Sequence, residues 1–422
     1  MRKDTHRKFA LNFLLFAILT AVSAFGWGDA HSVITRAALS TLPSSDAALL
    51  GNEREPLSAG YCLIPDWVYK KDGNERFVWD FMGTESYSGR FENFHLPWNA
   101  ASNYEMLEYY IRHAVASFKT NDAASAARHL GVLAHMLEDW TCPAHSSVGD
   151  NMYRLLGQYM PAPAGKEHML LHAHLESGGF DLSGYTHTPV ALGATTEEVA
   201  FRLLSRAQAG TVFARGRVLD IVRAVYAEDK QASAAAQRPS AILGADLVAD
   251  AFRSVCALAR GEAPPPAPIA LTPYWPNEAP SLFYPQAAFF SSPYWGHPQR
   301  DMILRDGKDP VPLALQISGE RTEVKGLGIG VKRISWFLPG NLFSRIMLRV
   351  GLHADLGTDG QVTFRVFGND AELHKTELRG TAQSVPIDLP ITGVTNLAFL
   401  ASPINRSKAN YVVLADPMLI PK

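Results

Sequence analysis

His135-Met-Leu-Glu-Asp139-Trp-Thr-Cys-Pro-Ala-His145 is the stretch that decides how this chain is read. His135 and Asp139 stand four apart, so a helix projects both side chains from one face at metal-binding reach. Leu130, Leu133, Ala134 and Leu137 form an apolar stripe that predicts a helix over Ala123–Trp140. Pro143 should end that helix, leaving His145 just past its end and near the same pocket. A histidine and an aspartate among such neighbours would be buried without compensation unless a cation takes them. His172-Ala-His-Leu-Glu176 repeats the i, i+4 pairing of imidazole with carboxylate. Mixed nitrogen and oxygen donors suit zinc. Nine of the 14 histidines in the 422 residues lie between His95 and His187.

Working outward, residues 27 to about 261 keep a helical period. Asn103–Lys119, Thr195–Tyr226 and Ala241–Arg260 join Ala123–Trp140 as predicted helices. Glu262-Ala-Pro-Pro-Pro-Ala-Pro268 cannot continue a helix and reads as a stiff spacer. Tyr274 to Gly296 is rich in aromatics and proline. Beyond it the period becomes two, with strands predicted at Arg345–Leu352, Val362–Phe367 and Tyr411–Leu414. The expected fold class is a multidomain α + β chain, all-α first and a β-sandwich second. The expected organisation is 1–26 signal peptide, 27–262 helical domain, 263–289 linker and 290–422 β-sandwich.

Composition narrows the function. Lys and Arg number 39 against 41 Asp and Glu, a formal charge of −2, which disfavours a nucleic-acid binder working by bulk charge. Three cysteines exclude a disulfide-built scaffold, although Cys62 and Cys142 both lie near candidate ligands and could bridge. Arg2, Lys3, Arg7 and Lys8 precede the apolar run Phe9–Val22, and Ala24-Phe25-Gly26 supplies small residues for a peptidase. Cleavage after Gly26 would leave Trp27 first and place the protein outside the cytoplasm, secreted or periplasmic. The run is too short for a comfortable membrane span, so no transmembrane anchor is expected.

His135-x3-Asp139-x5-His145 followed by His172-x3-Glu176 resembles the zinc-dependent phospholipase C family and the related single-strand nucleases, over roughly residues 27–260. That resemblance implies three zinc ions. The family's mature chain begins with a tryptophan whose α-amino group and carbonyl bind zinc, which Trp27 matches, and its early histidine matches His31. Ile64-Pro-Asp66-Trp67 and Asn93-Phe-His95 resemble two further ligand segments. Asp66 and His95 are 29 positions apart, wider than the family spacing. Asp80 would restore the spacing but sits in a poorer context, so Asp66 is favoured. By the resemblance, Asp66, His95, His135 and Asp139 hold one ion, and His145, His172 and Glu176 a second. Trp27 and His31 hold the third and share Asp139. His168 and His174 lie nearby, His174 pointing to another face, and His129 reads as structural.

The implied activity is phosphodiester hydrolysis by metal-activated hydroxide, with Asp66 orienting the water or acting as general base. Trp67 after the aspartate looks like the aromatic that lines the phospholipase head-group pocket, which favours a phospholipid substrate. A single-strand nuclease on the same metals is the alternative, since Trp67, Trp98 and Trp140 could also stack bases. At least two of these tryptophans are expected to be core. Lys325-Gly-Leu-Gly-Ile-Gly330, the Val362–Phe367 strand and Leu414-Ala-Asp-Pro-Met-Leu419 resemble the NPCBM module, a galactose-binding-like jelly roll, over about residues 290–422. It implies glycan docking, with a scaffold or dimer contact as the other possibility. A non-catalytic, zinc-containing glycan-binding protein is the reading from a different class.

Overall fold

The computed structural model describes residues 27, 29–69, 95, 99–146, 160–169, 171–274, 277–278, 299–305, 308–331, 333–380 and 382–422. The expected signal peptide, Asp80 and Trp98 lie outside the described residues, as does the side chain of Trp67. The helical part runs α1 (Asp29–Ser40), α2 (Ser44–Leu50), α3 (Arg54–Ala59), α4 (Ile64–Tyr69), α5 (Ala100–Lys119), α6 (Ala123–Trp140), α7 (Leu171–Leu175), α8 (Thr196–Arg215), α9 (Val218–Tyr226) and α10 (Lys230–Arg260). No helix among the described residues is long and apolar enough to cross a membrane.

The local chemistry explains the bounds. Asp122 caps α6 by accepting from the Ser125 N–H, and Thr141 closes its other end by donating to the Leu137 and Glu138 carbonyls. The single helix expected over Thr195–Tyr226 is two. It breaks at Gly216 and Arg217, where the Gly216 N–H is shared between the Val212 and Phe213 carbonyls. Conversely, α10 begins eleven residues before the predicted Ala241, running through Pro239. Asp229 caps its start, and buried Gln237 ties it to Ser233, Ser177 and the Gly178 N–H. These anchors outweigh the one backbone bond that proline removes.

The β part is a sandwich of two antiparallel sheets. The first has the order β13 (Val385–Pro390), β10 (Phe343–Leu352), β15 (Val412–Pro421), β8 (Gly326–Ile329) and β3 (Gln299–Arg300), with β1 (Ile269–Ala270) also on β15. The second has the order β12 (Ala371–Arg379), β11 (Gln361–Gly368), β14 (Asn396–Pro403), β9 (Arg333–Phe337) and β2 (Asn277–Glu278). Alternate residues of β11 are buried, so Val362, Phe364 and Val366 face the core with Trp336 and Phe399. Two small hairpins, β4 (Met302–Arg305) with β5 (Lys308–Pro312) and β6 (Ala314–Ile317) with β7 (Glu320–Glu323), complete it.

The stretch expected to be a linker already carries β1 and β2, paired into the two sheets. The parts also share apolar contacts. Phe201 of α8 packs edge-on to Tyr274 at 4.8 Å and to Phe343 of β10 at 5.0 Å, and Tyr104 of α5 meets Phe337 of β9 at 5.8 Å. All three cysteines are buried free thiols, so the Cys62–Cys142 bridge does not form.

His129 of α6 is 8% exposed, and its Nδ1 donates to the Ser125 carbonyl, as the structural reading requires. Burial pushes its pKa down to about 4. The unfolded chain takes up that proton first, near pH 6.5, so stability present above pH 6.5 is lost as pH falls towards 4. The full effect is on the order of 3 kcal/mol. In urea titrations, His129→Gln should lose less stability than the parent between pH 6.5 and 4; parallel losses would refute the assignment.

Candidate metal centre

Helix α6 delivers the centre because its neighbours approach closely. A Cβ on Gly131 would stand 2.4 Å from the Tyr61 carbonyl carbon, so only glycine lets the turn Tyr61–Leu63 lie against the helix. One turn on, the Cys62 carbonyl of that turn accepts from His135 Nδ1 at 2.8 Å. This turns His135 Nε2 away from the backbone and towards Asp139 Oδ2, 3.2 Å off, and Asp66 Oδ1, 4.0 Å off. Beyond α6 the 3-10 turn Pro143–Ser146 places His145, as the proline predicts.

Four imidazoles converge on Asp139. Its Oδ1 faces His31 Nε2 of α1 at 3.4 Å and His145 Nδ1 at 3.3 Å. Its Oδ2 faces His95 Nδ1 at 2.5 Å as well as His135. Glu176, just past α7, sets Oε1 2.7 Å from both His145 Nε2 and His172 Nε2. His31, His135 and Asp139 are fully buried, and Asp66, His145 and Glu176 nearly so, while His172 reaches solvent at 47% exposure. The His31 and His135 rings stack at 4.1 Å.

Among the described residues, several of these buried atoms find no hydrogen-bond partner: His31 Nε2, His135 Nε2, Asp139 Oδ1, His145 Nδ1 and both Glu176 oxygens. Close approach without hydrogen-bond geometry is what lone pairs aimed at a common cation produce. Donors at about 2.1 Å on a tetrahedral zinc lie about 3.4 Å from one another. The 3.2–3.4 Å separations around Asp139 match that edge. The donor set therefore fits divalent zinc. Three groups have converging ligand atoms: His31 with Asp66 and His135, His95 with Asp139 and His145, and His145 with His172 and Glu176.

Electrostatics agree with a cation-binding centre. Burial alone would raise the Asp139 carboxyl, but His145 and His135 hold it well below the usual range. Burial penalises the charged form of His145, yet Asp139 and Glu176 outweigh this and lift it to about 10. Burial lowers His95, with Asp139 opposing. Among the described residues, the charge partners of Asp139 and Glu176 are imidazoles, so a proton or a metal must supply the balance.

All eight side chains expected as ligands, His31, Asp66, His95, His135, Asp139, His145, His172 and Glu176, stand in this one cluster. Their grouping differs from expectation in two places: His31 lies with Asp66 and His135 as well as beside Asp139, and His95 and Asp139 group with His145 instead of with Asp66 and His135. His145 touches two groups, one ring nitrogen to each; a neutral imidazole offers one lone pair and so serves one ion. Trp27 is buried and stacks obliquely on Phe180 at 5.2 Å, in the apolar cluster that holds Leu175 and Ala144. His168 and His174 are exposed, and Trp140 is core. Three groups carry no signal of this role in the sequence: Glu138 and the Cys62 carbonyl, which accept from the outer nitrogens of His31 and His135, and Thr35, which donates to Glu138.

Fold and site together define a helical unit enclosing a His/Asp/Glu centre, followed by a β-sandwich. Residues 288–420 match the family model for the NPCBM/NEW2 domain, so the module expected there is present. A search of curated proteins returns no significant match. Among solved structures, the chain is similar to tandem CBM51 modules of a family 98 glycoside hydrolase from Streptococcus pneumoniae (17% identity, 30% of this chain, TM-score 0.27), of which it spans only 41%. It is also similar to CBM51 from Clostridium perfringens GH95, in complex with methyl-galactose (19% identity, 36% of this chain and 99% of that one, TM-score 0.30). A third is Clostridium perfringens alpha-toxin from avian strain SWCP (10% identity, 93% of this chain and 98% of that one, TM-score 0.32). At such identities and scores, the metal centre has to be argued from its own residues.

Proposed function

We propose that the chain is an exported zinc-dependent phosphodiesterase of the phospholipase C type. The observation that carries this reading is the set of buried, unpartnered donors spaced around Asp139. Zinc bound there supplies Lewis acidity and a water nucleophile near neutral pH. His31, Asp66, His95, His135, Asp139, His145, His172 and Glu176, with the Trp27 terminus, hold three ions in this reading. Asp66, at the edge of the group, orients the attacking water or takes its proton. His172 marks the side where a phosphodiester enters, because it alone among these donors is widely exposed.

The C-terminal module docks the enzyme on a surface glycan, in keeping with its family match. The net charge of −2 offers a polyanion little attraction, which favours a phospholipid over a nucleic acid. Turnover of lecithin and of single-stranded DNA, each with zinc and with a chelator, tests the reading. We expect lecithin cleavage to diacylglycerol and a phosphorylated head group, abolished by the chelator. DNA cleavage alone would identify the nuclease alternative, and neither activity in a zinc-loaded sample would leave a glycan-binding protein.

A further inference from the structure

We infer that Glu138 is the positioning residue that fixes His31 for its metal ion, an assignment that rests on the zinc reading above. Glu138 is fully buried on α6. Its Oε2 accepts from His31 Nδ1 at 2.6 Å, and its Oε1 accepts from Thr35 Oγ1 at 2.6 Å. His31 and Thr35 lie one turn apart on α1, so one carboxylate is clamped by two side chains of the same helix face.

The consequence is geometric. An ionised carboxylate only accepts, so the proton of this bond sits on His31 Nδ1. That leaves the Nε2 lone pair aimed at the Asp66 and His135 donors and at Asp139, and among the described residues Nε2 has no hydrogen-bond partner of its own. Two consecutive residues of α6 thus face the two nitrogens of a single ring: Glu138 sets the tautomer and the tilt, and Asp139 faces the nitrogen that binds. Thr35 keeps the Glu138 carboxylate from rotating away. Removal of such an outer partner typically weakens metal binding about 10–100-fold. A bond that merely ties α1 to α6 would instead weaken the metal-free fold.

Zinc titration of the metal-stripped chain against a chromophoric chelator, with melting of the same metal-free samples, separates the two roles. Glu138→Gln keeps an acceptor for His31 and a donor for Thr35, so zinc affinity should stay within a few-fold. Glu138→Leu removes the acceptor and should weaken one ion about 10–100-fold, while the other ions bind as before. Thr35→Val retains the His31 contact and folds more readily; a several-fold loss at the same ion is expected, and unchanged affinity would overturn the proposal even if Glu138→Leu fails to fold. Parent-like zinc binding in Glu138→Leu would overturn it too, as would losses in the Leu and Gln variants that only track a lower melting point. A parent chain that takes up no zinc would fail the metal reading itself, and this assignment with it.

Discussion

Asp139→Asn is expected to strip the protein of more than one metal ion and to lower turnover on the order of a thousandfold or more. Asp139 has a donor on each of four sides, His31 and His145 at Oδ1 and His95 and His135 at Oδ2, all between 2.5 and 3.4 Å. Each carboxylate oxygen can serve a different ion and shield the positive charges from one another. An amide has the same shape but one acceptor oxygen and no charge, so the ions lose both a ligand and their electrostatic screen. Because the neighbouring imidazoles hold the Asp139 carboxyl well below its usual pKa, the parent keeps this charge throughout the neutral range. Metal content per chain, measured after dialysis beside the lecithin rate, checks the claim. Loss of one ion only would contradict the bridging role.

How far this centre was legible in the sequence depends on the range of the interaction concerned. The α6 bounds could be read because every determinant is local: the apolar stripe, the Asp122 cap and Pro143 all lie within or beside the helix. The pairs His135 with Asp139 and His172 with Glu176 could be read because i, i+4 spacing exposes them as a pattern, whereas His31, Asp66 and His95 are reached only through the family resemblance. Glu138 carried no such signal. An acidic residue in mid-helix usually faces water, and its partners, His31 and Thr35, lie more than a hundred positions away. Gly131 is equally silent until Tyr61 is known to press against it. The start of α10 was missed for the opposite reason, since Pro239 is a strong local stop that distant anchors through Gln237 override.

A chain that keeps extra residues ahead of Trp27 is expected to bind one zinc fewer than the processed chain and to lose most of its activity, on the order of tenfold or more. An α-amino group titrates near 7.7–8.0, so an appreciable fraction offers a free lone pair at neutral pH, and a metal ion competes well for the remainder. Once acylated by a preceding residue, that nitrogen is a planar amide with no lone pair to give. Position 27 suits the role because the residue is already anchored. Its indole is 1% exposed, packed on Phe180 and in one apolar cluster with Leu175 and Ala144, the chain neighbours of Glu176 and His145. Its carbonyl accepts from the Ala30 N–H at 2.7 Å, which ties the start of the chain to the helix bearing His31. The extended chain should therefore fold, melt near the processed one once both are stripped of metal, and regain the missing ion when a protease removes the extra residues. Full zinc content and full rate before that cleavage would take Trp27 out of the centre and leave its burial as plain packing.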